Sequence, residues 1–216
     1  MEIMIKMYIC LLIFSSFPLF AQQSKLSFEI CEVTRLIADS PNFIPLSNFN
    51  DVFLLDTIFE YSLSACKNDT GEALLCASLS ALPYNQIPIQ TPFTGIRLLI
   101  PIYSAEKEIF ERKNSKLPKF LSIDSPLDNY GDKDKTAHFF GAAFLAYSTN
   151  SVELSEYIGY FVEIIESILK VDPIDERDVK MNSSGAAFGR LSRKNNNIKP
   201  SEVLMFSMII NVKAKI

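Results

Sequence analysis

Residues 134–144 read D-K-T-A-H-F-F-G-A-A-F and hold the only histidine of the chain, His138. Lys135, His138 and Ala142 stand at i, i+3 and i+7, so on a helix they share one face. Two further segments carry the same signature. Gly159, Glu163 and Glu166 fall at i, i+4 and i+7. Asp178, Asn182, Gly185 and Gly189 fall at i, i+4, i+7 and i+11. Each face combines polar groups with small residues. Glycine costs about 1 kcal/mol inside a helix relative to alanine, so its presence on these faces predicts that the backbones approach closely. The polar side chains then meet in a confined space, where a charge must be paired to be tolerated. Lys135, His138, Glu163, Glu166, Asp178 and Asn182, with Arg177 nearby, supply donors and acceptors that satisfy one another. Their formal balance is −1 with histidine neutral and zero with it charged.

Working outward, three helices are predicted over about 134–148, 151–170 and 176–191. Ser151 caps the second. Pro173 separates it from the third, which Asp175 caps, with Asp178 in its first turn. A last apolar piece, Val203 to Val212, is too short to span a membrane and is expected to pack on the core. Toward the N-terminus, residues 26–38 show helical spacing, with Phe28, Cys31 and Leu36 among the apolar positions, until Pro41 and Pro45 end the element. Residues 50–65 predict a second helix. Asp69, with Glu72 three residues on, starts a third that runs to Leu82. Six prolines between 83 and 130 predict a segment without long elements that wraps the core, interrupted by one helix from Ser104 to Lys113.

The expected fold is therefore mainly α, a small helical bundle with a C-terminal three-helix unit and a proline-rich wrapping segment. The expected organisation is a signal peptide at 1–21, an N-terminal helical region at 22–82, the proline-rich linking segment at 83–131, and the helical region at 132–216. Lys6 precedes an uncharged run from Met7 to Phe20, and Ala21 suits the position before a cut at Gln22. Export to the periplasm or envelope follows. The chain has 216 residues, 48% of them hydrophobic, and a net charge of −4. That composition suits one core and argues against nucleic acid as a partner, which would want a basic face. Export would leave Cys31, Cys66 and Cys76 in an oxidising compartment. Cys66 and Cys76 flank a polar turn, so a bridge between them is geometrically possible; the alternative is three small buried apolar residues.

The ordered residues carry a resemblance. Asp134-Lys135-x-x-His138-Phe139, then a glutamate in the middle of the next helix, then Arg177-Asp178-x-x-x-Asn182-x-x-Gly185-Ala186-x-x-Gly189 resemble the signature of the VanZ-like family. The order is also similar to a family of bacterial predicted lipoproteins of unknown function. The resemblance covers about residues 132–190. It implies a small helical envelope protein, in a family usually embedded in the membrane and associated in one case with glycopeptide-antibiotic resistance. The helices here depart from that pattern. They are short and carry Glu153, Glu156, Glu163, Glu166 and Lys170, which suits an exported soluble or peripheral protein.

Three functions fit these residues. In the first, the protein belongs to the envelope, and its Lys/His/Glu/Asp/Asn cluster either locks the fold or binds a small polar group of a lipid or cell-wall precursor, with Lys135, Glu166, Arg177 and Asn182 as binding residues. In the second, it is a hydrolase or transferase on such a precursor, with His138 as base, Asp178 orienting it and Glu163 as acid. In the third, it is a partner subunit at the membrane surface that uses 203–212 as its contact. A histidine with two or three carboxylates can hold a divalent cation, but the usual zinc spacings are absent and no metal or cofactor is expected. No nucleophile elbow, phosphate loop or dinucleotide fingerprint is present.

Overall fold

The computed structural model describes residues 24–41, 43, 51–90, 97–168 and 175–213. The signal peptide expected at 1–21 and the breaks expected at Pro45 and Pro173 lie outside the described residues. So do Lys170 and the side chain of Glu166. Among the described residues the chain forms eight helices and one two-stranded hairpin. They are α1 (Lys25–Asp39), α2 (Val52–Ala65), α3 (Thr70–Ser80), β1 (Gln86–Gln90), β2 (Arg97–Pro101), α4 (Lys107–Lys116), α5 (Lys135–Thr149), α6 (Val152–Ile168), α7 (Glu176–Ser192) and α8 (Pro200–Lys213).

Side-chain caps set the starts of four helices. Ser24 accepts a hydrogen bond from the Ser27 amide at the start of α1. Ser40 at its end is extended (φ −64°, ψ 127°), the conformation that the following Pro41 imposes on its neighbour. Asp69 caps α3 by accepting the Glu72 amide at 2.9 Å. Ser151 caps α6 by accepting the Leu154 amide at 3.1 Å. Asp175 caps α7 by accepting the Arg177 amide at 2.9 Å. Each satisfies a first-turn donor that the helix itself leaves unpaired.

The core lies between α2, α3, α5 and α7. Leu55 and Ile58 of α2, Leu74 of α3, Phe139 and Phe140 of α5, and Phe188 of α7 are fully buried. Their aromatic rings interlock: Phe188 meets Phe59 edge-on at 5.3 Å and stacks on Phe139 at 5.6 Å. On α1 the buried stripe is Ile30, Val33 and Ile37, whereas Phe28 is exposed. The α5–α7 pair makes the most extensive helix contact.

The proline-rich segment differs from expectation in two ways. It contains the β1–β2 hairpin, antiparallel, with Gln86 opposite Pro101 and Pro88 opposite Leu99. In a two-stranded ribbon both strands are edges, so a proline need not interrupt a central ladder. The helix expected over 104–113 instead spans Lys107–Lys116 and stops two residues before Pro118, leaving Leu117 extended as its C-cap. The segment does wrap the core, and two buried aspartates pin it. Asp51 accepts the amides of Lys119 and Phe120 at 2.8 and 3.1 Å. Asp132 accepts the Leu121 amide at 3.1 Å. Gly131 has φ +58°, and a Cβ there would lie 2.5 Å from the Lys119 carbonyl oxygen; only glycine fits that turn. Among the described residues no helix is long and apolar enough to cross a membrane.

Candidate functional site

The three faces read from the sequence meet. Gly185 and Gly189 of α7 press on the main-chain carbonyls of Phe139 and Ala143 in α5. A Cβ at either glycine would lie 2.0 Å from the oxygen. On α6, Gly159 faces Asn182, where a Cβ would lie 3.0 Å from the amide nitrogen. The hydroxyl of Ser155 on α6 donates to the Ala142 carbonyl at 2.8 Å and ties α6 to α5.

His138 stands between two carboxylates. Its Nδ1 is 3.5 Å from Glu163 Oε1 on α6, and its Nε2 is 3.4 Å from Asp178 Oδ1 on α7. The sequence places these residues 25 and 40 positions from the histidine; only the packing of the helices makes them neighbours. Lys135 is almost fully buried. Its ammonium reaches Asp178 Oδ1 at 2.6 Å, Asp175 Oδ2 at 3.0 Å and Asp134 Oδ2 at 3.2 Å. Arg177 forms an outer layer, donating to Asp132 Oδ1 and Asp175 Oδ2, both at 2.9 Å.

Sequence reasoning missed three members of this set as site residues. Asp132 and Asp134 precede α5, and Asp175 had been read only as a helix cap. The available signal was the D-x-D-K spacing at 132–135 and the D-x-R-D spacing at 175–178. These aspartates change the charge. Lys135 and Arg177 face Asp132, Asp134, Asp175, Asp178 and Glu163, which leaves −3 with His138 neutral and −2 with it charged.

Burial and pairing compete at each group. Burial alone would lower the Lys135 ammonium, but Asp134, Asp178 and Asp175 outweigh it and hold its pKa above the ordinary lysine value. Asp175 is opposed by burial too, yet the Arg177 amide and the Lys135 ammonium hold its carboxyl down to about 2. At Asp178 burial wins over His138 and Lys135 and raises the carboxyl. Asp132 is raised by burial against the pull of Ser125, the Leu121 amide and Arg177. The cluster thus sets one carboxylate held ionised, Asp175, beside two that burial drives toward protonation, Asp132 and Asp178.

A cleft of about 230 Å³ opens above the cluster. Its polar lining includes His138, Asn182 and Ser78, and its apolar walls include Leu82, Leu145 and Val162. Ser78 on α3 donates to the Ala137 carbonyl at 3.0 Å, which fixes that wall to α5. Asn182 was expected to hydrogen-bond into the network. Among the described residues no hydrogen bond joins its side chain to the other members; it packs against Gly159 and faces the cleft. Glu163 and Asp178 are not among the cleft-lining residues; they lie behind His138.

Asp134, His138 and Asp178 each offer one ligand atom, all within 4.8 Å of one another. The Lys135 ammonium already holds both aspartates of that set, so a divalent cation would have to displace a buried charge. Glu29, Cys66 and Glu72 make a second such group, with Lys25 bound to both glutamates.

No family model, curated protein or solved structure matches this chain.

Proposed function

We propose that the chain is an exported cell-envelope protein whose C-terminal helical unit binds a small polar group, carried by a lipid or a cell-wall precursor, at the cleft between α3, α5, α6 and α7. One observation carries this reading. His138 belongs both to the buried charge cluster and to the cleft lining, where Asn182 joins it. A cluster that only locked helices together would need no opening to a cavity. The lining suits the class of ligand, with a few convergent polar groups among apolar walls. The excess of carboxylates behind His138 disfavours a bare phosphate and favours an ammonium or a hydroxyl. The envelope assignment draws on the apolar run at 7–20 and on the VanZ-like motif residues.

The acid–base alternative draws on the same bracket of His138 by Glu163 and Asp178. It is weaker on geometry, because both ring nitrogens already face carboxylates and Glu163 is 2% exposed. A base would need one nitrogen turned to the cleft. The peripheral alternative has its own support in α8. Phe206, Ile209 and Ile210 are 64%, 56% and 51% exposed and share one helical face.

The test of the cleft is binding by the chain from Gln22 onward to two probes that present an ammonium: phosphatidylethanolamine in phosphatidylcholine vesicles, and a soluble muropeptide with a free amine. Saturable binding to either probe is expected, weakened at least tenfold in both His138→Gln and Asn182→Ala variants that still melt cooperatively. Binding no stronger than to phosphatidylcholine vesicles alone, or unchanged in both variants, sinks the reading.

A further inference from the structure

We propose that Cys66 and Cys76 are a disulfide-forming pair that clamps the α2–α3 hairpin, and that Cys31 takes no part in it. Cys66 ends α2 and Cys76 lies in the second turn of α3. Both are buried, at 1% and 0% exposure. Both belong to one buried core cluster that joins the end of α2 to α3. Cys31 has a different partner, the Tyr103 hydroxyl at 3.5 Å.

The turn between the two cysteines sets this geometry without help from the sulfurs. Lys67 and Asn68 are both left-handed, at φ 54° and 66°. The Asn68 amide returns to the Leu63 carbonyl at 2.7 Å, and the Asp69 amide to the Cys66 carbonyl at 3.0 Å. Asp69 then caps α3. The chain is thus reversed within a few residues, and a short closed loop brings its ends together at little entropic cost. Two consecutive left-handed residues without glycine persist only where the surroundings hold them, and a cross-link spanning the turn would hold them.

The chemistry is thiol–disulfide exchange with an acceptor disulfide, either that of a thiol–disulfide oxidoreductase or oxidised glutathione. One cysteine thiolate attacks the acceptor and releases its first thiol. The second thiolate attacks the mixed disulfide and releases the other. The pair gives up two electrons, and both protons end on the acceptor's thiols. In the folded chain burial, and then the Glu29 carboxylate, push the Cys66 thiol up to about 12, and burial raises Cys76 as well. Thiolate is therefore scarce once the hairpin is packed, and the bridge is made during folding and resists exchange afterwards. The clamp also bears on the cleft, since Ser78 follows Cys76 by two residues and lines it.

The oxidising compartment rests on the export reading; the pairing does not, so the two are tested apart. The reduced, denatured chain from Gln22 onward is refolded in a glutathione redox buffer, alkylated, digested and weighed. Expected are a mass loss of two hydrogens, one linked peptide pair joining Cys66 to Cys76, and a melting temperature several degrees above that of the reduced protein. Cys31→Ser keeps all three; Cys76→Ala loses the bridge and the redox dependence of melting. Free thiols after oxidative refolding, a bridge to Cys31, or zinc held by the reduced pair with Glu29 and Glu72 overturns the proposal. A bridge formed in vitro but absent from protein alkylated in acid-quenched cells counts against export alone.

Discussion

Gly185 of α7 lies against the main-chain carbonyl of Phe139 in α5, so close that a methyl group on its α-carbon would stand 2.0 Å from the oxygen. Neither backbone can yield without moving a helix, and the His138–Asp178 contact depends on that approach. Gly185→Ala is expected to destabilise the fold by about 3 kcal/mol, the upper range for overpacking. Gly159→Ala meets the Asn182 side chain at 3.0 Å, which can turn away, and gains about 1 kcal/mol of helix propensity. Urea midpoints of the two variants should differ clearly, with Gly185→Ala the less stable. The reverse order would refute the packing argument.

Lys135 neutralises a set of aspartates that cannot otherwise coexist. Removing one partner of a buried ion pair leaves an uncompensated charge, at about 3–5 kcal/mol. Lys135→Met should lose that amount. The double change Lys135→Met with Asp178→Asn should be less damaging than the two single losses added together. Additive losses in denaturant melts would mean that the two side chains are not coupled.

Lys113 is 1% exposed, with its ammonium donating to the Leu82 carbonyl and lying 4.5 Å from the centre of the Phe110 ring. Burial, and then Lys133, lower its pKa to about 7. Unfolded, it titrates near 10.4. Between those values the unfolded chain holds a proton that the folded chain does not, so stability rises with pH across the window. The contribution is complete above about 10.4 and is lost as pH falls through 7. Its slope is on the order of 1 kcal/mol per pH unit. Lys113→Met should flatten the pH dependence of unfolding between pH 7 and 10, and an unchanged slope would show that Lys113 titrates normally.

The C-terminal helix is only half engaged. Val203 and Leu204 belong to the core, whereas Phe206, Ile209 and Ile210 face outward. Deleting everything from 203 would therefore remove part of the core and confuse unfolding with release from a surface. Replacing Phe206, Ile209 and Ile210 together by serine leaves the core residues in place. If α8 docks on lipid, co-sedimentation with phosphatidylcholine vesicles should drop at least tenfold while the melting temperature stays within a few degrees. Equal sedimentation of parent and variant would remove α8 as a membrane contact.

The helices and their caps were legible in the sequence because both are local. Periodicity at 3.6 residues and the first-turn donors answered by Asp69, Ser151 and Asp175 depend on residues three or four apart. The three mixed polar and glycine faces were legible for the same reason, whereas the contacts of His138 with Glu163 and Asp178 needed the packing of α6 and α7 on α5. The β1–β2 hairpin was not legible, because its prolines signal breakage and their tolerance depends on both described strands being edges.

What only the tertiary structure decided is who shares a charge with whom. Asp132 and Asp175 look like loop and cap residues until α7 is laid against α5, when Asp175 reaches Lys135 and Asp132 reaches Arg177. The same packing turns Asn182 toward a cleft, and it buries Cys66 and Cys76 in one core cluster. Sequence by itself determined the helices, the faces and the residues available for chemistry. Their pairing, their burial and the opening beside His138 arise from contacts between residues tens of positions apart, which no local pattern encodes.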